Sequence, residues 1–107
     1  MEPEITLNEA KQIVSEKRHP RVTEESIKAR IKQVSYIYDE TTTICMIAMK
    51  NGFSVIGHST PADPRNYDAA VGRRYAYDNA FRQLWQLEGY LLVEYLSLEA
   101  MDGGKDE

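Results

Sequence analysis

The chain has one cysteine, two histidines and four prolines in 107 residues, and each shortage removes a class of function. A lone thiol, Cys45, closes no internal disulfide and makes no metal site by itself. Set in an apolar run, it reads as a small buried hydrophobe. Two histidines, His19 and His58, fall short of the several convergent ligands a metal needs, and neither stands in a Ser/His, Cys/His or His/acid constellation. His58 is the sole candidate base, and ordinary edge-strand hydrogen bonding is the better reading of it. Walker loops and Gly-rich dinucleotide turns are missing as well. The sequence therefore predicts no catalytic residues, no metal and no cofactor. No apolar run is long enough to span a bilayer, and Met1-Glu2-Pro3-Glu4 has neither the basic nor the apolar region of a secretion signal. A cytoplasmic protein without a membrane partner is expected. An excess of positive charge is lacking too: a net charge of -4 disfavours long-range attraction to a nucleic acid backbone.

What is present is an ordinary globular composition, 42% hydrophobic and 28% charged, at a length that sustains one core without staples. Residues 1–107 are expected to form a single domain, with 102–107 as a frayed tail. Thr6, followed three residues later by Glu9, has the spacing of a capping box and predicts a short helix to about Lys17, with Arg18-His19-Pro20 ending it. Thr23 before Glu24 and Glu25 predicts a second short helix. Val34-Ser35-Tyr36-Ile37-Tyr38 and Thr42 to Met49 read as strands. The second is apolar on both alternating faces, which predicts a central strand covered by helices on one face and by a second subunit or a helix on the other. Asn51-Gly52 predicts a type I′ turn, with Phe53 to Ser59 as a third antiparallel strand. Pro61 and Pro64 make Thr60 to Arg65 a loop. From Asn66 or Asp68, either able to cap, one helical run reaches about Leu98, roughly 45 Å if unbroken, with Gly72 and Gly89 as weak points. The predicted fold class is α+β: a three-stranded antiparallel meander against a long C-terminal helix, continuous or broken near Gly89, preceded by one or two short helices.

On a helical wheel, Ala70, Tyr77, Ala80, Phe81, Leu84, Leu87, Leu91, Tyr95 and Leu98 share the face expected to meet the sheet. The opposite side is not polar: Val71, Tyr75 and Val93 lie near its centre, with Trp85 and Tyr90 on its flanks. An apolar surface nearly all round implies a second packing partner, and another copy of the chain is the simplest one. These five residues are the expected interface of a homodimer or higher homo-oligomer. The anomaly is that Asn66, Arg73 and Tyr77 project toward the core side near the helix start. An Arg there is unfavourable unless it holds an anion or pairs with a carboxylate. Two readings follow: a phosphate site with aromatic walls from Phe53, Tyr67 or Tyr77, or a structural network of Arg65, Arg73 and Arg74 with Asp63, Asp68 and Asp78. Glu88 is expected to pair with a nearby base.

The ordered blocks Pro20-Arg21-Val22-Thr23, Met49-Lys50-Asn51-Gly52-Phe53, Asn66-Tyr67-Asp68, Val71-Gly72-Arg73-Arg74-Tyr75-Ala76 and Leu84-Trp85-Gln86-Leu87-Glu88-Gly89-Tyr90 resemble the small tailed-phage protein family named for a gene 49 and a gene 66 product. The likeness covers about residues 20 to 95. The same strand-loop-helix plan resembles the Thoeris anti-defence sponge proteins, phage products that sequester cyclic ADP-ribose-type signals and in some cases cyclic oligonucleotides. That resemblance implies a cyclic nucleotide ligand held without turnover in the host cell cytoplasm. Arg73 or Arg74 would meet the pyrophosphate, Phe53, Tyr67 or Tyr77 would stack on a base, and Asn66 with Ser59 or Thr60 would bond ribose or phosphate. The chain departs from these patterns in a shorter C-terminus and in Tyr75 and Tyr77, where small or basic residues are common in the phage family. The alternative is a small interaction factor that inhibits a host protein through its aromatic C-terminal helix, for which Trp85, Tyr90 and Val93 matter and Arg73 does not.

Overall fold

In the computed structural model the described residues run from Met1 to Lys105, with side chains described to Met101. The tail expected over 102–107 falls at that limit, and Asp106 and Glu107 lie outside the described residues. The element order is α1 (Leu7–Ser15), α2 (Glu24–Lys28), β1 (Ile31–Asp39), β2 (Thr42–Met49), β3 (Ser54–Ser59), a 3-10 turn (Pro64–Asn66) and α3 (Ala69–Lys105). This is the expected α+β plan, a β1-β2-β3 antiparallel sheet under a long helix.

Local chemistry sets the boundaries. Thr6 accepts from the Glu9 backbone N–H while the Glu9 carboxylate accepts from that of Thr6, so the N-terminus of α1 is closed by a reciprocal capping box. Thr23 does the same for α2, with Ser26 as the partner. The β2–β3 turn differs from the expected type I′. Only Gly52 has positive φ, at 95°, and the Gly52 N–H donates to the Met49 carbonyl while Met49 pairs with Phe53. Lys50-Asn51-Gly52 is thus a three-residue loop, a tight turn followed by a left-handed glycine. The Asn51 side chain takes the Phe53 N–H at 3.0 Å, which holds Asn51 without a left-handed backbone.

The core lies on one face of the sheet. Cys45, Ile47, Met49 and Val55 pack under Ala76, Ala80, Phe81 and Leu84 of α3, and Ile27 of α2 closes one end. The helix approaches β3 closely because Gly57 has no side chain: a Cβ there would overlap the backbone of Ala76 and Ala80. The same helix covers the outer edge of β3, where the Gln83 amide donates to the Ile56 carbonyl at 2.7 Å and the Asn79 side-chain oxygen accepts from the His58 N–H at 3.1 Å. β2 is the central strand, as expected, and the helices lie on one of its faces. The second face of the sheet is not covered within the chain; Ile37, Met46 and Ile56 are exposed there, Met46 and Ile56 directly opposite each other in register. Of the two forms expected for α3 the continuous one is found, a single 37-residue helix through Gly89, about 55 Å long. The strands, at nine residues or fewer, span only about 30 Å. The helix therefore outruns its sheet, and Leu87, Leu91, Tyr95 and Leu98, on the face expected to be covered, are exposed instead.

Candidate functional site

Where β3 ends and α3 begins, Ser59, Thr60, Pro61, Asn66, Tyr67, Asp68, Val71, Gly72 and Tyr75 enclose a cavity of about 260 Å³. The sequence builds it in steps. Pro61 and Pro64 stop the strand, and Asp63 caps the 3-10 turn by accepting the Arg65 N–H at 2.9 Å. Asp68 then starts α3: its side chain accepts from the Val71 N–H at 3.0 Å and its carbonyl from the Gly72 N–H at 2.8 Å. Residues 68, 71, 72 and 75 share one helix face, so Asp68, Val71, Gly72 and Tyr75 turn together toward the end of β3. On the strand side, the hydroxyls of Thr42 and Thr60 share a hydrogen bond of 2.7 Å, which fixes Thr60.

Beneath the cavity sits Thr43, fully buried, its Oγ1 without a hydrogen-bond partner among the described residues. Buried hydroxyls are nearly always paired, and leaving one unpaired costs about 1–3 kcal/mol. Thr43 opposes Ser59 in the β2–β3 register, and Oγ1 lies so near Gly72 that a Cβ there would come within 2.6 Å of it. Two cavity residues thus flank an unsatisfied hydroxyl. The lining offers the hydroxyls of Ser59, Thr60, Tyr67 and Tyr75, the Asn66 amide and the Asp68 carboxylate. Such a set suits a ligand rich in hydroxyls and ring nitrogens, and the volume is near the small end of ligand pockets.

The arginines stand elsewhere, and their partners differ. Arg65 is clasped by both carboxylate oxygens of Asp63, from 2.6 Å for Nη2 to Oδ2 up to 3.2 Å. That contact holds the Asp63 carboxyl below its usual range and raises Arg65 further. Arg74 pairs with Asp78 one turn on and lies over the Tyr77 ring, 5.3 Å from its centroid. Arg73 is different: it donates to the Tyr38 hydroxyl at 3.4 Å, and none of the described carboxylates forms an ion pair with it. Tyr38 is the main cause of its raised pKa, with Tyr36 and Tyr67 adding smaller contributions. The structural Arg–Asp network accordingly forms at Arg65 and Arg74 and leaves out Arg73 and Asp68.

Of the eight residues expected to bind ligand, Ser59, Thr60, Asn66 and Tyr67 meet in one cavity. Arg73 faces Tyr38 on β1 rather than the cavity itself. Tyr77 stacks on Phe81 with centroids 5.7 Å apart, Arg74 is occupied by Asp78, and Phe53 lies half-exposed beside the turn at the opposite end of β3. Val71 and Tyr75, expected at an interface, are exposed and also line the cavity, while Trp85, Tyr90 and Val93 project from α3 with 43%, 73% and 66% exposure. Asp68, Gly72 and Thr43 were not singled out as binding groups. The 68-71-72-75 spacing was the available signal for the first two, whereas Thr43 depends on strand register. Glu88 pairs with Arg30 at 2.8 Å, joining α3 to the segment after α2. His58 is exposed on the outer face. Among the described residues no group of three His, Cys, Asp or Glu could hold a metal ion, and no helix is long and apolar enough to cross a membrane.

Residues 22–96 match the model of the phage protein (N4 Gp49/phage Sf6 gene 66) family, and the chain belongs to that family. The match spans α2, the whole sheet, the cavity and α3 to Leu96, and leaves out α1. Among curated proteins and solved structures none matches the chain.

Proposed function

We propose that this phage-family protein is a non-catalytic binding protein that sequesters a small nucleotide signal, of the cyclic ADP-ribose type, in the host cytoplasm. The observation that carries the reading is the convergence of Ser59, Thr60, Asn66 and Tyr67 on one cavity above the unpaired Thr43 hydroxyl. Tyr67 and Tyr75 supply aromatic walls, the Ser59 and Thr60 hydroxyls meet ribose, and Asn66 reads a base edge. Arg65 and Arg74 are already neutralised and Asp68 occupies the anion-binding end of α3, so the phosphate partner is Arg73, which stands outside the cavity beside Tyr38 and is met by the part of the ligand that extends past the cavity mouth. Phe53, Arg74 and Tyr77 drop out of the proposed contact set. With no activated nucleophile or paired acid and base at the cavity, the ligand leaves as it arrived.

A thermal-shift screen against cyclic ADP-ribose isomers, cyclic dinucleotides and cyclic trinucleotides, with NAD and ADP-ribose as controls, tests this. At a hundred times its dissociation constant a ligand stabilises the fold by about 2.7 kcal/mol, several degrees for a domain of this size. Ligand recovered intact after denaturation separates sequestration from turnover. Tyr67→Ala and Arg73→Ala should each abolish the shift, and no shift with any compound ends the reading. The second reading, inhibition of a host protein through α3, is favoured by the exposed Trp85, Tyr90 and Val93. In that case Trp85→Ala with Tyr90→Ala abolishes capture of the host protein while Arg73→Ala leaves it intact.

A further inference from the structure

Besides the bare outer face of the sheet, two apolar surfaces among the described residues lack a cover, and the charges their own segments carry are opposite. The first is the groove of about 490 Å³ between α1 and α3, with Leu7 and Val14 on one wall, Trp85 on the other, and Lys11 and Arg21 at its margins. No residue of α1 is buried, so its apolar stripe faces this groove without filling it. Arg21 is held in place by donating to the Lys17 carbonyl at 2.9 Å. From Lys11 to Arg21 the chain carries four bases against the single acid Glu16. The second surface is α3 beyond the sheet, where Leu91, Tyr95 and Leu98 are exposed. Between Gln83 and Met101 its charged residues are Glu88, Glu94 and Glu99, with no base. Glu88 is spent on Arg30, which leaves Glu94 and Glu99 free of any ion pair among the described residues.

We infer that the groove beside α1 receives the C-terminal half of α3 from a second copy of the chain, reciprocally, in a two-fold dimer. An acidic apolar helix entering a basic apolar groove satisfies both surfaces at once. Pairing two α3 ends with each other is the worse solution, because it sets Glu94 and Glu99 of both copies side by side, while the bases nearest that face, Arg21 and Arg30, stand against Leu91 and Tyr95 of their own chain and Arg30 is spent on Glu88. A two-fold axis lets each copy give one helix end and take one, so the assembly closes without leaving either surface open. This proposal stands apart from the ligand reading, since the cavity at Ser59 and Tyr67 shares no residue with the groove.

Light scattering on the full-length chain decides it. Wild type should have twice the mass of one chain and dissociate as salt rises, since part of the contact is ionic. Lys11→Glu with Arg21→Glu should give single chains, and so should Glu94→Lys with Glu99→Lys. An equimolar mixture of the two variants should regain the two-chain species, because each groove then meets a tail of opposite sign. The proposal is overturned if wild type is a single chain, if either reversal leaves the assembly unchanged, or if two folded variants fail to combine. The salt series reads the same contact without substitution, and association indifferent to salt also overturns it.

Discussion

The two halves of α3 are almost equally apolar and have opposite fates. From Ala69 to Leu84 the helix lies across β2 and β3, with Ala76 and Ala80 fully buried, Phe81 8% exposed and Leu84 1% exposed. From Trp85 to Met101 no side chain is buried to that degree, and Tyr95 and Leu98, which continue the Leu84 face, stand 63% and 54% exposed. The difference is made by what lies opposite. Strands of six to nine residues end before the helix does, so the same periodicity that seats the first half leaves the second without a floor. An apolar stripe records which face is to be covered and says nothing of whether the cover belongs to the same chain.

The largest expected effect comes from cutting the same side chain in both halves. Leu84→Ala removes a fully packed side chain and should destabilise the fold by about 2–5 kcal/mol. Leu98→Ala, measured in urea on dilute single chains, should cost under about 0.5 kcal/mol. Equal losses would mean that the C-terminal half is packed after all. Gly57→Ala approaches the same contrast from the sheet: the new methyl meets helix backbone, which cannot rotate away, so a loss of about 3 kcal/mol is expected. A loss below about 1 kcal/mol would show that α3 can rise off β3 freely.

The junction between the halves should respond less. Glu88 is 13% exposed at its side chain and Arg30 is 39% exposed, so their contact lies between a buried pair and a surface one. Glu88→Gln keeps the shape and removes the charge, and should cost about 1 kcal/mol by urea titration. The loss should persist when salt is raised, since Glu88 is shielded from solvent ions. A loss that vanishes in salt would place the pair at the surface with the rest of the second half.

The sequence made the elements legible where the chemistry was local. Thr6 with Glu9, Thr23 with its acids, and the prolines at 61 and 64 each act on neighbours within four residues, and the structure follows them. That Ser59, Thr60, Asn66 and Tyr67 come together was legible for the same reason, since they lie within nine positions of one another around a forced turn. What the sequence left illegible is all long-range. Whether Arg73 or Arg74 is free depends on Asp78 and on Tyr38, 35 residues away. The placement of Phe53 depends on sheet direction, because a strand that begins beside Phe53 must end near the helix start. The bare outer face of the sheet depends on where α1 goes, and α1 buries nothing.

The finest test uses the two glycines of α3, one in each half. In a helix interior glycine is worse than alanine by about 0.5–1 kcal/mol, because its unfolded backbone has more freedom to lose. A Cβ added at Gly89 would meet nothing within 4 Å, so Gly89→Ala should gain that amount in full and raise the melting temperature by a few degrees. Gly72 has the same helical preference but lies over Thr43, whose Oγ1 would stand 2.6 Å from the new carbon. Thr43 is fully buried, so its side chain cannot swing aside without displacing core atoms, and Gly72→Ala should lose stability despite the better helix former. Opposite signs from one substitution in one helix would locate the boundary between the seated half and the free half. A gain at both positions would mean that Thr43 rotates to admit the methyl, and that the packing beneath the cavity is looser than its burial indicates.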